Sequence, residues 1–146
     1  MLIIDGFCFA GWEKNLSGLK LKIEPKEERV GSHSRKIAVS EFIFSKEFQG
    51  YGGVVHGGIL STVLDELMIY ALFYENMPTV TAKMEVVFRK KAFVEELLKG
   101  KAWILKVRDK MAEAEAEIMD SKNEIIASGK GLFAKVDDIL KQSWVE

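Results

Sequence analysis

Along this chain the apolar positions change period twice. From Leu19 to Glu24 they alternate with Lys20 and Lys22, the two-residue period of a half-buried strand that Pro25 should end. Lys26 to Ser34 is polar and reads as a turn. Arg35 to Phe44 alternates again, with Ile37, Val39 and Glu41 on one face. A loop dense in glycine and aromatics, Ser45 to Gly53, then gives way to a run from Gly58 to about Tyr74. Ile59, Leu60, Val63, Leu64, Leu67, Met68, Ile69, Ala71, Leu72 and Phe73 make that run apolar nearly all round a helix, so the rest of the fold must wrap it. Asn76-Met77-Pro78 stops the helix. Strand periods return in Thr79 to Phe88, Leu97 to Arg108, Met111 to Met119 and Glu124 to Val136. A two-residue connection at Asp109-Lys110 pairs Lys106 with Glu113 on one face and Trp103 with Ala116 on the other. That register matches opposite charges and a large residue with a small one. Ala112, Ala114 and Ala116 clear room for something bulky, the helix or a partner chain.

Two strands, one long helix and four antiparallel strands define an α+β architecture in which one sheet of five to six strands curls around one helix. Such a sheet leaves another surface to cover, which predicts a dimer or larger assembly. Residues 1–17 form a loosely structured arm whose aromatics, Phe7, Phe9 and Trp12, pack on the domain. Residues 18–136 are the domain, and 137–146 a short tail of one or two helical turns.

Composition narrows the classes. The chain has 146 residues, enough for one domain, with 48% apolar and 29% charged residues and a net charge of −1, so no basic footprint points to nucleic acid. The single cysteine, Cys8, excludes an internal disulfide and fits a reducing compartment. Asp5 and Gly6 interrupt the apolar start and no basic segment precedes it, which argues against a signal peptide. Asp65 and Glu66 inside the long helix argue against a membrane span. A cytoplasmic protein is expected. No histidine, cysteine or carboxylate cluster has the spacing of a metal site, and no phosphate-binding glycine motif occurs, so neither metal nor cofactor is expected.

The candidate chemistry lies on the helix. Asp65 shares a narrow stripe with Gly58, Ser61 and Thr62 by the three- and four-residue spacing. A carboxylate there needs a partner or a task. Either it bonds Ser61, Thr62 or a neighbouring strand and fixes packing, or it acts on a substrate. Glu66 points about 100° away and reads as a structural or surface acid. His56-Gly57-Gly58 opens the helix where backbone N–H groups lack partners, so the glycines serve either a tight turn or a developing negative charge. His56 supports that loop, and His33 lies in a polar turn. Cys8 has no basic neighbour in sequence to activate it. Arg89, Lys90 and Lys91 form either a solvated strand exit or a rim for phosphates. Eight residues of helix put Gly57 and Asp65 roughly 12 Å apart, too far to act on one carbonyl. If both act on it, they come from two chains.

The segment Phe48-Gln49-Gly50-Tyr51-Gly52-Gly53-Val54-Val55-His56-Gly57-Gly58, followed by Leu64-Asp65-Glu66 and Thr79-Val80-Thr81-Ala82, resembles the hotdog-fold acyl-CoA thioesterases of the phenylacetate-degradation type. The resemblance spans roughly Gly18 to Val136. It implies a long central helix wrapped by a curved antiparallel sheet and paired with a second copy, as a homodimer or a dimer of dimers. It implies hydrolysis of acyl-CoA, with coenzyme A part of the substrate. Asp65 would be nucleophile or general base, and the Gly57 or Gly58 amide of the partner chain would be the oxyanion hole. His56 would support the loop, Gln49 would hold the attacking water, and Thr81 would assist the acid. Arg89, Lys90 and Lys91 would meet the coenzyme A phosphates. Gly53 departs from the family, where proline is common. Met68, Leu72 and Tyr51 are expected to line an apolar acyl pocket. The rival readings on the same fold are a module that binds or senses acyl-CoA without turnover, and a hydratase.

Overall fold

The computed structural model describes residues 2–136 and 139–141. In chain order its elements are β1 (Leu2–Ile4), β2 (Glu24–Val30), β3 (His33–Ile43), a 3-10 turn (Lys46–Phe48), α1 (Gly57–Phe73), β4 (Thr79–Phe88), β5 (Leu97–Val107), β6 (Met111–Met119), β7 (Ile125–Lys135) and β8 (Ile139–Lys141). Six strands form one antiparallel sheet in the order β2-β3-β5-β6-β7-β4, and α1 lies across it. This is the hotdog arrangement. β1 and β8 pair in parallel as a separate ribbon.

Small residues let the sheet wrap the helix. Ala102, Ala116 and Gly129 face one another across β5, β6 and β7, and Ala114 faces Gly131. A Cβ on Gly129 would stand 3.4 Å from Leu64 Cβ, and one on Gly100 would stand 2.6 Å from Leu67 Cδ1. The alanines and glycines therefore make room for α1, whose Leu64, Leu67, Met68 and Leu72 are fully buried with Ile118 and Phe133 of the sheet. Each such side chain contributes roughly 1.5–3 kcal/mol by leaving water. α1 ends where Asn76 takes a left-handed φ of 60°. Asn76 N–H bonds Phe73 O and Met77 N–H bonds Leu72 O, closing a Schellman motif.

Several sequence expectations shift. The strand read at Leu19–Glu24 starts instead at Glu24 and runs through Pro25, because β2 is an edge strand whose missing proline donor is tolerated. Leu21 is buried, yet its N–H bonds Ala10 O of the arm rather than a sheet strand. In β3, Ala38 and Phe42 join the core under the helix, while Glu41 points outward. Lys106 faces Glu113 as expected, but Trp103 faces Glu115, since an irregularity between Ile104 and Lys106 shifts the register by one. Trp103 then lies under Arg35, 4.7 Å from the ring centre. The arm docks through Ala10, through Cys8 on Glu66 and through Trp12, whose side chain bonds Tyr70, while Phe7 and Phe9 stay exposed. The predicted helical tail lies largely outside the described residues, and its described part is strand β8.

Candidate active site

α1 is not covered all round. Gly58, Ser61, Thr62, Asp65, Ile69 and Phe73 stay partly or fully open while the other faces are buried, so the polar stripe of the sequence is the open stripe of the structure. β4, the far edge of the sheet, runs beside it.

The helix start can be accounted donor by donor. His56 takes the N-cap position, and its Nδ1 accepts the Gly58 N–H at 2.9 Å. His56 O accepts from Ile59 and Leu60, and His56 N–H donates to Phe48 O. The Gly57 N–H finds no acceptor among the described residues. The loop before it is braced. Gln49 Oε1 accepts the Gly53 N–H at 3.0 Å, where Gly53 holds a φ of 80° that glycine adopts without strain. Val55 N–H bonds Ala92 O, and Val94 N–H bonds Gly53 O, stitching the loop to the segment after β4. The ring of Phe88 stands beside Gly57: a Cβ there would meet Phe88 Cζ at 3.4 Å.

Asp65 is half-buried. Its Oδ1 accepts a 2.5 Å hydrogen bond from Thr81 Oγ1, and Oδ2 has no partner among the described residues. Thr81 sits at a register shift between Thr81 and Lys83 in β4, the kind of irregularity that re-aims a side chain. Ser61 and Thr62 bond the carbonyls of Gly57 and Gly58 instead of the acid. Burial pushes the Asp65 carboxyl above the ordinary aspartate range, and the Thr81 bond partly offsets that.

Other predicted residues separate. Glu66 is buried rather than on the surface, and Cys8 Sγ donates to its Oε2 at 3.4 Å. Burial raises both groups, so the Cys8 thiol stays protonated at neutral pH. Lys90 bonds Asp120 at 2.7 Å and Glu124 at 2.5 Å, and these bonds raise its pKa. It is therefore not a free cation, whereas Arg89 and Lys91 are exposed and pair with no acid among the described residues. Met68 and Leu72 belong to the core and not to a pocket wall, while Tyr51 is 89% exposed at the loop tip. Two surface hollows, of about 660 Å³ against β2, β3 and β5 and about 310 Å³ against β4, β6 and β7, include neither Gly57 nor Asp65. Among the described residues no metal-holding cluster occurs, and no helix is long and apolar enough to cross a membrane. The position of Phe88 beside Gly57 leaves no mark in the sequence, where the residue reads only as the end of an alternating strand.

Comparison with known proteins gives this geometry a setting. A family model described as the thioesterase superfamily matches residues 52–127. No curated protein matches the sequence. Among solved structures, the thioesterase superfamily protein RHA08564 superposes with a TM-score of 0.70 at 17% identity, over 83% of this chain, which spans only 56% of that protein. The Escherichia coli PaaI protein from the phenylacetic acid degradation operon gives 0.69 at 18%, over 80% of this chain and 83% of that one. A thioesterase protein of Streptococcus pneumoniae with coenzyme A gives 0.68 at 16%, over 79% and 89%. Two further structures of that protein carry alanine in place of an aspartate and of a threonine sixteen positions later.

Proposed function

As the chain belongs to the thioesterase superfamily, we propose that it hydrolyses acyl-CoA thioesters to the free acid and coenzyme A, at a site built by two copies of the chain. One observation carries the reading. The open stripe of α1 leaves one backbone donor, the Gly57 N–H, and one carboxylate oxygen, Asp65 Oδ2, without partners among the described residues. A thioester carbonyl needs those two groups on opposite sides, and one helix holds them roughly 12 Å apart. A second copy, paired along the open edge of β4, supplies the other half.

In the reaction, the Gly57 N–H of one protomer binds the thioester oxygen, with the positive end of the α1 dipole behind it. Asp65 of the other protomer takes a proton from water as that water attacks the carbonyl carbon, or attacks the carbon itself to form a mixed anhydride that water then hydrolyses. Coenzyme A leaves as a thiolate, which needs no strong acid to assist it. Thr81 holds Asp65 in place. The aspartate and threonine replaced in the pneumococcal protein have the same separation as Asp65 and Thr81, which supports this pairing. His56 serves the loop as a cap rather than as a base, because its Nδ1 is already spent on Gly58. Gln49 shapes the loop through Gly53, and its amide nitrogen is left to hold water. Arg89 and Lys91 meet the coenzyme A phosphates. Ile69 and Phe73, the apolar end of the open stripe, favour an apolar acyl group.

Asp65→Asn tests this on a panel of short, long and aromatic acyl-CoAs, read by thiol release. Turnover should be lost while acyl-CoA binding stays. Wild-type rates equal to those of the variant on every substrate would remove the assignment.

A further inference from the structure

Successive residues of α1 turn by about 100°, so Met68 lies about 60° to one side of Asp65 and Glu66 about 100° to the other, with Ile69 and Phe73 between Asp65 and Glu66. The Met68 side packs on the sheet: a Cβ on Gly131 of β7 would stand 3.4 Å from Met68 Sδ, and Thr81 of the neighbouring β4 bonds Asp65. The Glu66 side is covered by the arm. Cys8 Sγ bonds Glu66 Oε2 at 3.4 Å, the Trp12 side chain bonds Tyr70, and a Cβ on Gly11 would stand 3.3 Å from the Tyr70 hydroxyl. Residues 8–12 therefore run beside α1 from Glu66 to Tyr70. The open stripe is the floor of a trough, with β4 along one edge and the arm along the other. From Asp65 to Phe73 that floor is roughly 12 Å long, and its far end, Ile69 and Phe73, is apolar. Backbone bonds hold the arm as well: Leu19 N–H bonds Phe9 O at 2.7 Å and Leu21 N–H bonds Ala10 O at 2.8 Å, with Ala10 buried in the core. Trp12 is tied to α1 and is still 37% exposed, so part of its ring is open to a ligand. The arm precedes residues 52–127, so this wall lies outside the segment that the thioesterase family model matches.

We propose that the arm is the second wall of the acyl-binding trough, and that Trp12 is a specificity-determining residue favouring acyl chains long enough to pass Ile69. This rests on the acyl-CoA reading above. An acetyl group ends beside Asp65 and does not reach Trp12. An octanoyl group runs along the floor past Ile69, which is roughly 6 Å along the helix from Asp65. Its outer methylenes then lie against the indole rather than in water. Moving about two methylenes from water onto an apolar wall is worth about tenfold in affinity.

The test compares acetyl-CoA with octanoyl-CoA in the full chain, as wild type, Trp12→Ala, Trp12→Gln and Trp12→Phe. It reads kcat/KM, and also Kd by calorimetry in the non-hydrolysing Asp65→Asn background, while thermal midpoints check folding. Trp12→Ala should lower the octanoyl-to-acetyl ratio by about tenfold and leave acetyl-CoA within about twofold of wild type. Trp12→Gln keeps an N–H donor for Tyr70 but no aromatic surface, so it should lower the ratio alike, even should Trp12→Ala unfold. Trp12→Phe keeps the surface and should retain most of the ratio. A ratio that Trp12→Ala and Trp12→Gln leave unchanged, or an equal loss on both substrates, makes Trp12 a structural residue and overturns the proposal. A wild type that accepts acetyl-CoA but not octanoyl-CoA overturns it too. A Trp12-dependent ratio in Kd, without turnover by the wild type, would retain the wall and remove the hydrolase reading. Failure of the wild type to bind either substrate would remove both.

Discussion

His56 is the residue whose role can be separated most cleanly. A histidine beside a reactive site invites the role of general base, but here its Nδ1 accepts the Gly58 N–H at 2.9 Å. His56→Ala deletes that cap and leaves the backbone bonds from Ile59 and Leu60 to His56 O in place. The lost cap is worth about 1 kcal/mol. Contact of the ring with Gly50, 3.4 Å from a Cβ position there, adds little because His56 is exposed. For a chain of 146 residues that predicts a thermal midpoint lower by about 2–4 °C. His56→Asn keeps a short side-chain acceptor and should recover most of the stability. It should also keep most of the hydrolytic rate, since no step passes a proton through the ring. Differential scanning calorimetry and acyl-CoA kinetics on both variants decide it. An asparagine variant as stable as wild type but with no activity would keep the cap, refute capping as the whole role of His56 and restore the base.

Other outcomes follow from the same geometry. Burial raises the Asp65 carboxyl and the Thr81 bond lowers it, so kcat should rise with pH through a value above the ordinary aspartate range of about 3.9, and Thr81→Val should move that limb higher; an unmoved limb would contradict the pairing. Glu66 is buried with its pKa raised, so its stability contribution is full below the unfolded value and is lost as pH rises through the folded one. Glu66→Gln should therefore be the more stable protein near neutral pH and lose that advantage at about pH 4, as read by thermal melts. Lys90→Gln should leave KM for acyl-CoA unchanged and lower the thermal midpoint, while Arg89→Gln and Lys91→Gln should raise KM most at low salt.

Most of the fold was legible because periodicity survives packing. The helix, the four later strands and the Asp109-Lys110 connection all fell where the pattern put them. The failures have identifiable causes. Leu19 to Ile23 alternates like a strand, but its N–H groups go to the arm, a long-range pairing that no local pattern encodes. Trp103 slipped by one residue because an irregularity leaves no mark in the sequence. The polar stripe through Asp65 was visible at the level of spacing, and its openness depends on which helix face the sheet leaves bare. The division of labour between Gly57 and Gly58 was not visible, since it hangs on a side-chain bond from His56. Lys90 looked equivalent to its neighbours until the β6–β7 turn brought Asp120 and Glu124 to it.

The central claim is that each active site takes its glycine from one protomer and its acid from the other. Gly57→Pro removes the free N–H at the first helical position, where proline is well tolerated, and Asp65→Asn removes the acid. Each homodimer alone should be inactive. After the two are unfolded together and refolded as a mixture, random pairing makes half of the dimers mixed, and each mixed dimer carries one intact site. The mixture should regain about one quarter of wild-type activity. No activity above that of the separate variants would contradict the shared site and place both groups within one chain.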